Sequence, residues 1–243
     1  MNFSYKNVVK LKRKRYAIGA GFVLVEGKRT IYQLIQDRVV FFKLFADDME
    51  KLKPLLKSSF VKDYSLLSKS KLTTLSQTKQ NQGLVGVVKS KTKSIGKDDF
   101  VLYLDGISDP GNLGTIIRTS LALGVDGIAL SPDCCWVFNP KTIRSSLGAV
   151  FKLPIELWDY KMLANSNAQI VQSRAIKDAM KVNQFKRQQN RKLVLVLGSE
   201  ARGTSEKIQK ISETTLAIPM KKGVESLNVA SATSILVYSL LNS

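Results

Sequence analysis

The chain has 243 residues, 44% hydrophobic and 23% charged. That is the composition of a folded globular protein rather than a disordered or fibrous one, and it is long enough to bury a core without disulfide or metal staples. Thirty-eight Lys and Arg against 19 Asp and Glu give a net charge of +19, and there is no histidine, which excludes His general bases, His triads and His-ligated metals. The two cysteines, Cys134 and Cys135, are adjacent, so they make neither a spaced ligand set nor a loop-closing disulfide. Apolar runs such as 193–197 fall far short of the ~20 residues of a membrane span. Met1 leads into polar and basic residues without the apolar core of a signal peptide. The expectation is a cytoplasmic protein with no membrane segment and no metal.

The charge is unevenly placed. Residues 1–97 carry 21 basic and 6 acidic side chains, net +15, whereas 98–243 carry 17 and 13, net +4. A basic excess confined to one part points to a polyanionic partner held by that part; a solvated, solubilising surface is the plainer alternative. The densest cluster is Lys12, Arg13, Lys14 and Arg15. In chain order, the basic segment 9–15 precedes an apolar strand-like run at 22–25. A helix around 30–36, a strand at 39–46, a helical patch near 49–57 and a strand at 84–88 follow. This predicts a small α/β domain over 1–90. The polar, charged stretch 91–99, which contains Gly96, reads as a linker.

Over 100–243 the alternation sharpens. Strands are predicted at 100–104, 127–130, 169–172, 193–197 and 215–218, several as continuous apolar runs of the kind found where both sheet faces are covered. Helical patterns lie between them, which predicts βα units and a mostly parallel sheet. The polar stretch 183–192 reads as an exposed loop. The final helix, 226–241, has small residues at its middle and is expected to be buried or part of an interface.

Three loops carry candidate chemistry. In the first, DGISDPGNLGTIIR (105–118), Asp109 is a plausible helix cap with Pro110 at the first helical position. Asn112 and Arg118 lie roughly 120° apart on an ideal helix, so they meet only if Asn112 sits in the turn and Arg118 reaches back. The second, GSEARG (198–203), puts Glu200 at the carboxyl end of a strand, where open α/β sheets bind ligands. In the third, IPMKKGVESLN (218–228), a strand ends at a proline, a basic turn follows, and a helix begins with Ser226 as its expected cap. Each loop alone also fits a plainer role: a capped helix with a surface Arg, a turn with a solvated Glu, a simple cap.

Together the segments DPGNLGTIIRTS, VLGSEARGTSE and IPMKKGVESLNVASA, with RSSLGAVFKLP (144–154) between the first two, resemble the SpoU-type (TrmH-like) RNA 2′-O-ribose methyltransferases of the SPOUT class, in order and spacing. The resemblance covers 100–243 densely. It implies a parallel α/β catalytic domain whose C-terminal part is threaded into a trefoil knot that holds S-adenosyl-L-methionine (AdoMet), and a homodimer through that domain that completes the site. By the same likeness, backbone around Gly198, Ile218 and Leu227 holds the cofactor, with Leu197 and Met220 beside it. Arg118 corresponds to the arginine to which the family assigns activation of the ribose 2′-hydroxyl, and Asn112, Glu200, Ser226 and Asn228 would orient it and the ribose. A guanidinium stays protonated at neutral pH. Arg118 is therefore expected to hold the target phosphate or hydroxyl rather than act as a simple base, and Glu200, the one acid of the five, is a second candidate to receive the proton.

The first domain resembles the family's accessory RNA-binding domain, whose fold is similar to certain ribosomal proteins. VVKLKRKR, FVLVEGKRTI and LSQTKQNQGLVGVV carry that likeness, with Asn81 standing where family members usually show Pro. Lys12, Arg13, Lys14 and Arg15, with Lys221 and Lys222 near the proposed site, are the expected RNA contacts, and ribosomal RNA is favoured over transfer RNA. A Rossmann enzyme is excluded because no GxGxxG follows the opening strand, and a Walker-type ATPase because no GxxxxGK[ST] occurs. The remaining rival is a non-catalytic RNA-binding protein that retains the fold. Retention of both the cofactor loops and the polar cluster favours the enzyme.

Overall fold

A computed structural model describes residues 2–78, 81–96, 100–176, 178–188 and 190–242. The end of the expected linker, 97–99, lies outside the described residues. Contacts divide the chain into two compact units. One takes the chain up to Lys91 together with Phe138–Phe151; the other takes Thr92–Val137 and the chain from Lys152 onward.

The first unit runs α1 (Tyr5–Lys10), α2 (Lys14–Ala20), β1 (Phe22–Glu26), α3 (Lys28–Gln36), β2 (Phe41–Ala46), α4 (Met49–Leu56), β3 (Tyr64–Leu66), α5 (Lys69–Leu75) and β4 (Leu84–Lys89). Its sheet has the order β1-β4-β2-β3, with β4 antiparallel to β1 and β2, and β3 parallel to β2. The basic segment 9–15 is not a plain lead-in to β1. It is the end of α1, a turn and the start of α2, two short helices that bury little more than Val8, Leu11 and Ala17. Lys12 has a structural task there. Its Nζ donates to the Thr74 and Ser76 carbonyls at 2.7 and 2.9 Å, satisfying acceptors at the C-terminal end of α5, where a cation is favoured. Arg13, Lys14 and Arg15 are exposed.

The Asn81-Gln82-Gly83 turn shows why this sequence suits its place. Asn81 Oδ1 accepts from Gly83 N at 3.0 Å and its Nδ2 donates to Thr73 Oγ1 at 2.9 Å, so an amide side chain fixes the bend locally. Gln82 Oε1 then accepts from Lys28 N at 2.7 Å. That contact caps α3, whose N-cap residue, Gly27, has no side chain to do so.

The second unit contains β5 (Phe100–Asp105), α6 (Pro110–Leu123) and β6 (Gly127–Leu130). α7 (Pro140–Ser145) comes next in the chain, followed by β7 (Ile155–Leu157), α8 (Tyr160–Ala164), β8 (Gln169–Ser173), β9 (Met180–Lys181), β10 (Leu193–Gly198), α9 (Glu206–Ile211), β11 (Thr214–Ala217) and α10 (Val229–Leu241). The seven strands have the order β7-β6-β5-β10-β8-β11-β9, and every neighbouring pair is parallel. β5, β6 and β10 are buried almost throughout, as expected of strands covered on both faces. The chain moves outward from β5 to β6 and β7, then returns to β8 and β10 on the other side. That reversal is the place where such sheets open a crevice at the strands' carboxyl ends. Register sets Gly198 beside Asp105, and Ser173 beside both Leu197 and Leu216.

α7 belongs by sequence to the 100–243 stretch and by contacts to the first unit, against β1. Gly148, at φ +81°, seats against Leu34, where a Cβ would fall 2.6 Å from Leu34 Cδ2. Glu26, at the end of β1, accepts from Ser76 Oγ at 2.6 Å, from Gln77 N at 3.0 Å and from Arg144 Nη1. The two charged side chains are 10% and 32% exposed, so the pair is largely desolvated. Removing one partner leaves a buried charge with only neutral donors. Arg144→Ala is expected to lower the stability of the first unit by about 2 kcal/mol, read as a shifted urea midpoint. A change within measurement error would show that the pair does not hold this segment.

Candidate functional site

The three loops of the second unit take their shapes from local chemistry. Asp109 caps α6 by accepting from Asn112 N at 2.8 Å, and Pro110 is the first helical residue, which leaves the Asn112 amide projecting from the first turn. In the loop after β10, Gly203 N donates to Ser199 O at 2.8 Å and Arg202 N to Ser199 Oγ at 3.3 Å. This fold-back requires glycine at 198, where a Cβ would lie 2.0 Å from the Gly203 carbonyl carbon. In the third loop β11 ends before Pro219, and Val224 N donates to Lys221 O at 3.2 Å across a turn whose Gly223 has φ +92°.

The expected cap of the last helix is corrected. α10 begins at Val229, and its cap is Asn228, whose Oδ1 accepts from Ala230 N at 2.9 Å and Ser231 N at 3.4 Å. Asn and Ser cap equally well, so the motif alone does not decide between them. Ser226 precedes the helix, exposed, in the wall of a cleft described below.

Asn112, Glu200 and Asn228 meet. Asn112 Nδ2 donates to Glu200 Oε1. Asn228 Nδ2 donates to Glu200 Oε1 at 3.0 Å and to Asn112 Oδ1 at 3.1 Å. One carboxylate oxygen thus takes two amide donors, and Oε2 has no hydrogen-bond partner among the described residues. Arg118 is not part of this cluster. It lies about 9 Å further along α6 and about 120° around it, exposed, in a groove between α6 and α10 with Thr115, Ile235 and Tyr238. It makes no hydrogen bond or ion pair with any described residue.

Beside the cluster is a cleft of about 310 Å³ at the carboxyl ends of β8, β10 and β11, at the small end of the range for ligand sites. Leu197, Gly198, Ile218, Met220 and Leu227, the five residues expected around a cofactor, all line it, together with Glu200 and Ser226. Sequence reasoning missed another part of its wall, Ser173 to Ile176. The available signal was that this stretch follows another strand of the same parallel sheet. Lys221 and Lys222 are exposed at the turn of the third loop. Among the described residues no group of three or more Cys, Asp and Glu comes together as a metal site, and no helix is long and apolar enough to cross a membrane. Cys134 donates to Leu104 O at 3.1 Å, and burial pushes its thiol pKa up, against the thiolate a nucleophile needs.

The sequence model of the SpoU rRNA methylase family matches residues 99–238. The chain belongs to that family. It is 27% identical over 242 residues to the 23S rRNA (guanosine(2553)-2′-O)-methyltransferase RlmP of Bacillus subtilis (strain 168), covering 98% of this chain and 96% of that protein. To the 23S rRNA (adenosine(1067)-2′-O)-methyltransferase of Streptomyces azureus it is 34% identical over 147 residues, 58% of this chain and 54% of that one. Among solved structures it is similar to the SpoU methyltransferase AviRb from Streptomyces viridochromogenes in complex with AdoMet, with TM-score 0.82, 23% identity and coverage of 98% and 97%. That likeness speaks to the fold: two units, the second built on the parallel sheet.

Because Asn228 serves the helix through Oδ1 and the cluster through Nδ2, its two roles separate by substitution. Asn228→Ala removes both and is expected to cost about 1 kcal/mol for the cap alone. Asn228→Asp keeps the cap but sets a carboxylate against Glu200, so in a double-mutant cycle Glu200→Gln should relieve part of its cost. Additive stabilities would show that the two side chains do not interact.

Proposed function

We propose that this protein is an AdoMet-dependent methyltransferase that modifies a ribose 2′-hydroxyl in RNA, with ribosomal RNA as its substrate. The observation that carries the reading is the cleft whose walls hold all five expected cofactor residues, directly beside the Asn112–Glu200–Asn228 cluster. The cleft fits the cofactor: Leu197, Ile218, Met220 and Leu227 offer apolar walls for an adenine ring, and glycine at 198 keeps the fold-back loop closed. When bound, AdoMet supplies an electrophilic methyl group. The chain itself supplies alignment, which is worth roughly 7–11 kcal/mol when a bimolecular encounter becomes intramolecular. Asn112 and Asn228 hold Glu200 by Oε1, so that Oε2 is left to accept a hydrogen bond or a proton from the ribose hydroxyl. Ser226 adds a second hydroxyl contact at the rim.

Arg118 serves the site as a fixed positive charge on the target phosphate or hydroxyl. Since Arg118 stands apart from its own chain's cluster, we place it at the cleft of a second subunit, in an isologous homodimer built on the α6–α10 face, where Ile235 and Tyr238 are exposed. The C-terminal part of the catalytic unit would be threaded as the family's trefoil knot. The basic first unit, through Arg13, Lys14 and Arg15, would grip RNA phosphates with strong salt dependence, and Lys221 and Lys222 would do so near the cleft, in the cytoplasm.

Methyl label from AdoMet is expected on ribose in ribosomal RNA prepared from host cells lacking the protein. Label in transfer RNA alone would overturn the ribosomal substrate, and RNA binding without incorporation would mean a non-catalytic protein. Arg118→Ala should lower the rate by at least about 100-fold while cofactor affinity changes little. Mixing Arg118→Ala with Glu200→Gln subunits should restore about a quarter of wild-type activity, because half the dimers then hold one complete site. No recovery on mixing would contradict the shared site.

A further inference from the structure

We infer that Arg174 is a further cofactor-binding residue, the anchor for the carboxylate of the methionine tail of AdoMet. The inference rests on the cofactor reading above and concerns a residue that no motif of the chain singled out.

AdoMet joins an adenosine to an amino-acid tail. The tail carries a carboxylate, and a cavity that holds it out of bulk water needs a cation or several N–H donors for it. Among the described residues, the charged ones lining the cleft are Glu200, Arg174 and Arg202. Glu200 has the wrong sign. Arg202 is exposed at the tip of the fold-back loop, where fixing a long side chain costs the most entropy and solvent weakens the attraction. Arg174 is only half-exposed and follows directly on β8, and its backbone N donates to Leu216 O at 3.0 Å.

Its guanidinium is also held in place. Arg174 Nη1 donates to Gln209 Oε1 at 3.0 Å, and Gln209 Nε2 donates to Thr204 O at 2.8 Å. Thr204 Oγ1 donates to Gln172 Oε1, and Gln172 Nε2 donates to Thr215 Oγ1 at 3.0 Å. Gln172 and Thr204 are 4% and 2% exposed, so the chain of bonds runs into the sheet, and the Thr204 carbonyl, which only accepts, fixes the Gln209 nitrogen toward itself. The Gln209 oxygen therefore has to face the arginine. A neutral acceptor leaves the positive charge uncompensated, and Arg174 makes no ion pair with any described residue. Among the described residues one of its five N–H donors is used, which leaves a planar fork suited to a carboxylate. A loose surface arginine would need no such support.

The test compares ligands with and without the tail by calorimetry on the full-length protein. The wild type is expected to bind AdoMet, S-adenosylhomocysteine and 5′-methylthioadenosine, the last of which has no amino-acid tail. Arg174→Met should weaken AdoMet and S-adenosylhomocysteine by about tenfold or more while 5′-methylthioadenosine changes less than about twofold. Arg174→Lys, which keeps the charge but loses the fork, should fall between. Retained binding of 5′-methylthioadenosine shows that the cleft is intact in the variant. Equal losses for all three ligands, or no loss for AdoMet, would overturn the role of Arg174. A wild type that binds none of them would overturn the cofactor reading beneath it.

Discussion

The site depends on one side-chain amide with both ends committed. Asn228 gives its oxygen to the first N–H groups of α10 and its nitrogen to Asn112 and Glu200. These residues are 116 and 28 positions away in the chain, and Asn112 and Glu200 are 88 apart, so no local preference brings them together. What does so is the parallel sheet, which ends β5 and β10 side by side with Gly198 opposite Asp105, together with the packing of α6 on α10. The polar cluster is thus a product of helix capping. Asp109 takes the backbone of Asn112, Asn228 caps its own helix, and the amide groups left over converge on one carboxylate. Glu200 is exposed, so it is held by geometry rather than by a need to satisfy a buried charge: both amide donors fall on Oε1, and Oε2 has no partner among the described residues.

The first unit solves a related problem with different means. It carries most of the net positive charge, yet some of its polar side chains are spent on structure. Lys12 satisfies carbonyls at the end of α5, and Glu26 gathers Ser76, Gln77 and Arg144. The cations left exposed, such as Arg13, Lys14 and Arg15, are the ones free to meet a polyanion. Counting charges in a sequence overstates a binding surface by the number of cations that the fold employs internally.

What could be read in advance follows burial. The long runs of the second unit, 100–104, 127–130 and 193–197, read as strands because both of their faces are covered. Edge strands β3 and β9, exposed at Tyr64, Leu66, Met180 and Lys181, carry no such pattern and escaped notice. The short helices α1 and α2 escaped because a single buried side chain per turn is too sparse a period. In the site, each motif loop alone reads as a plain turn or cap; they were legible because their order and spacing together resemble the family's. The Ser226 cap misread a choice that Ser and Asn satisfy alike. Arg118 was expected beside the polar residues that would orient it; the structure sets it apart, because Asn112 lies in the first turn of α6 and six residues turn Arg118 away from it. The wall from Ser173 to Ile176 was passed over because following a predicted strand does not by itself say which strand lies beside it, and only the strand order sets it next to β10; Arg174 acquires its meaning from Gln209, Thr204 and Gln172, which no spacing reveals.

On the proposed reading, the cleft between the loops at 197–203, 218–220 and 226–228 receives the methyl donor with its reacting end beside Glu200. A crystal structure of the protein with S-adenosylhomocysteine tests this most directly. The expected density places the adenine between Leu197, Ile218 and Leu227 and the sulfur facing the Asn112–Glu200–Asn228 cluster. A nucleoside bound elsewhere, or a sulfur turned away from Glu200, would contradict it.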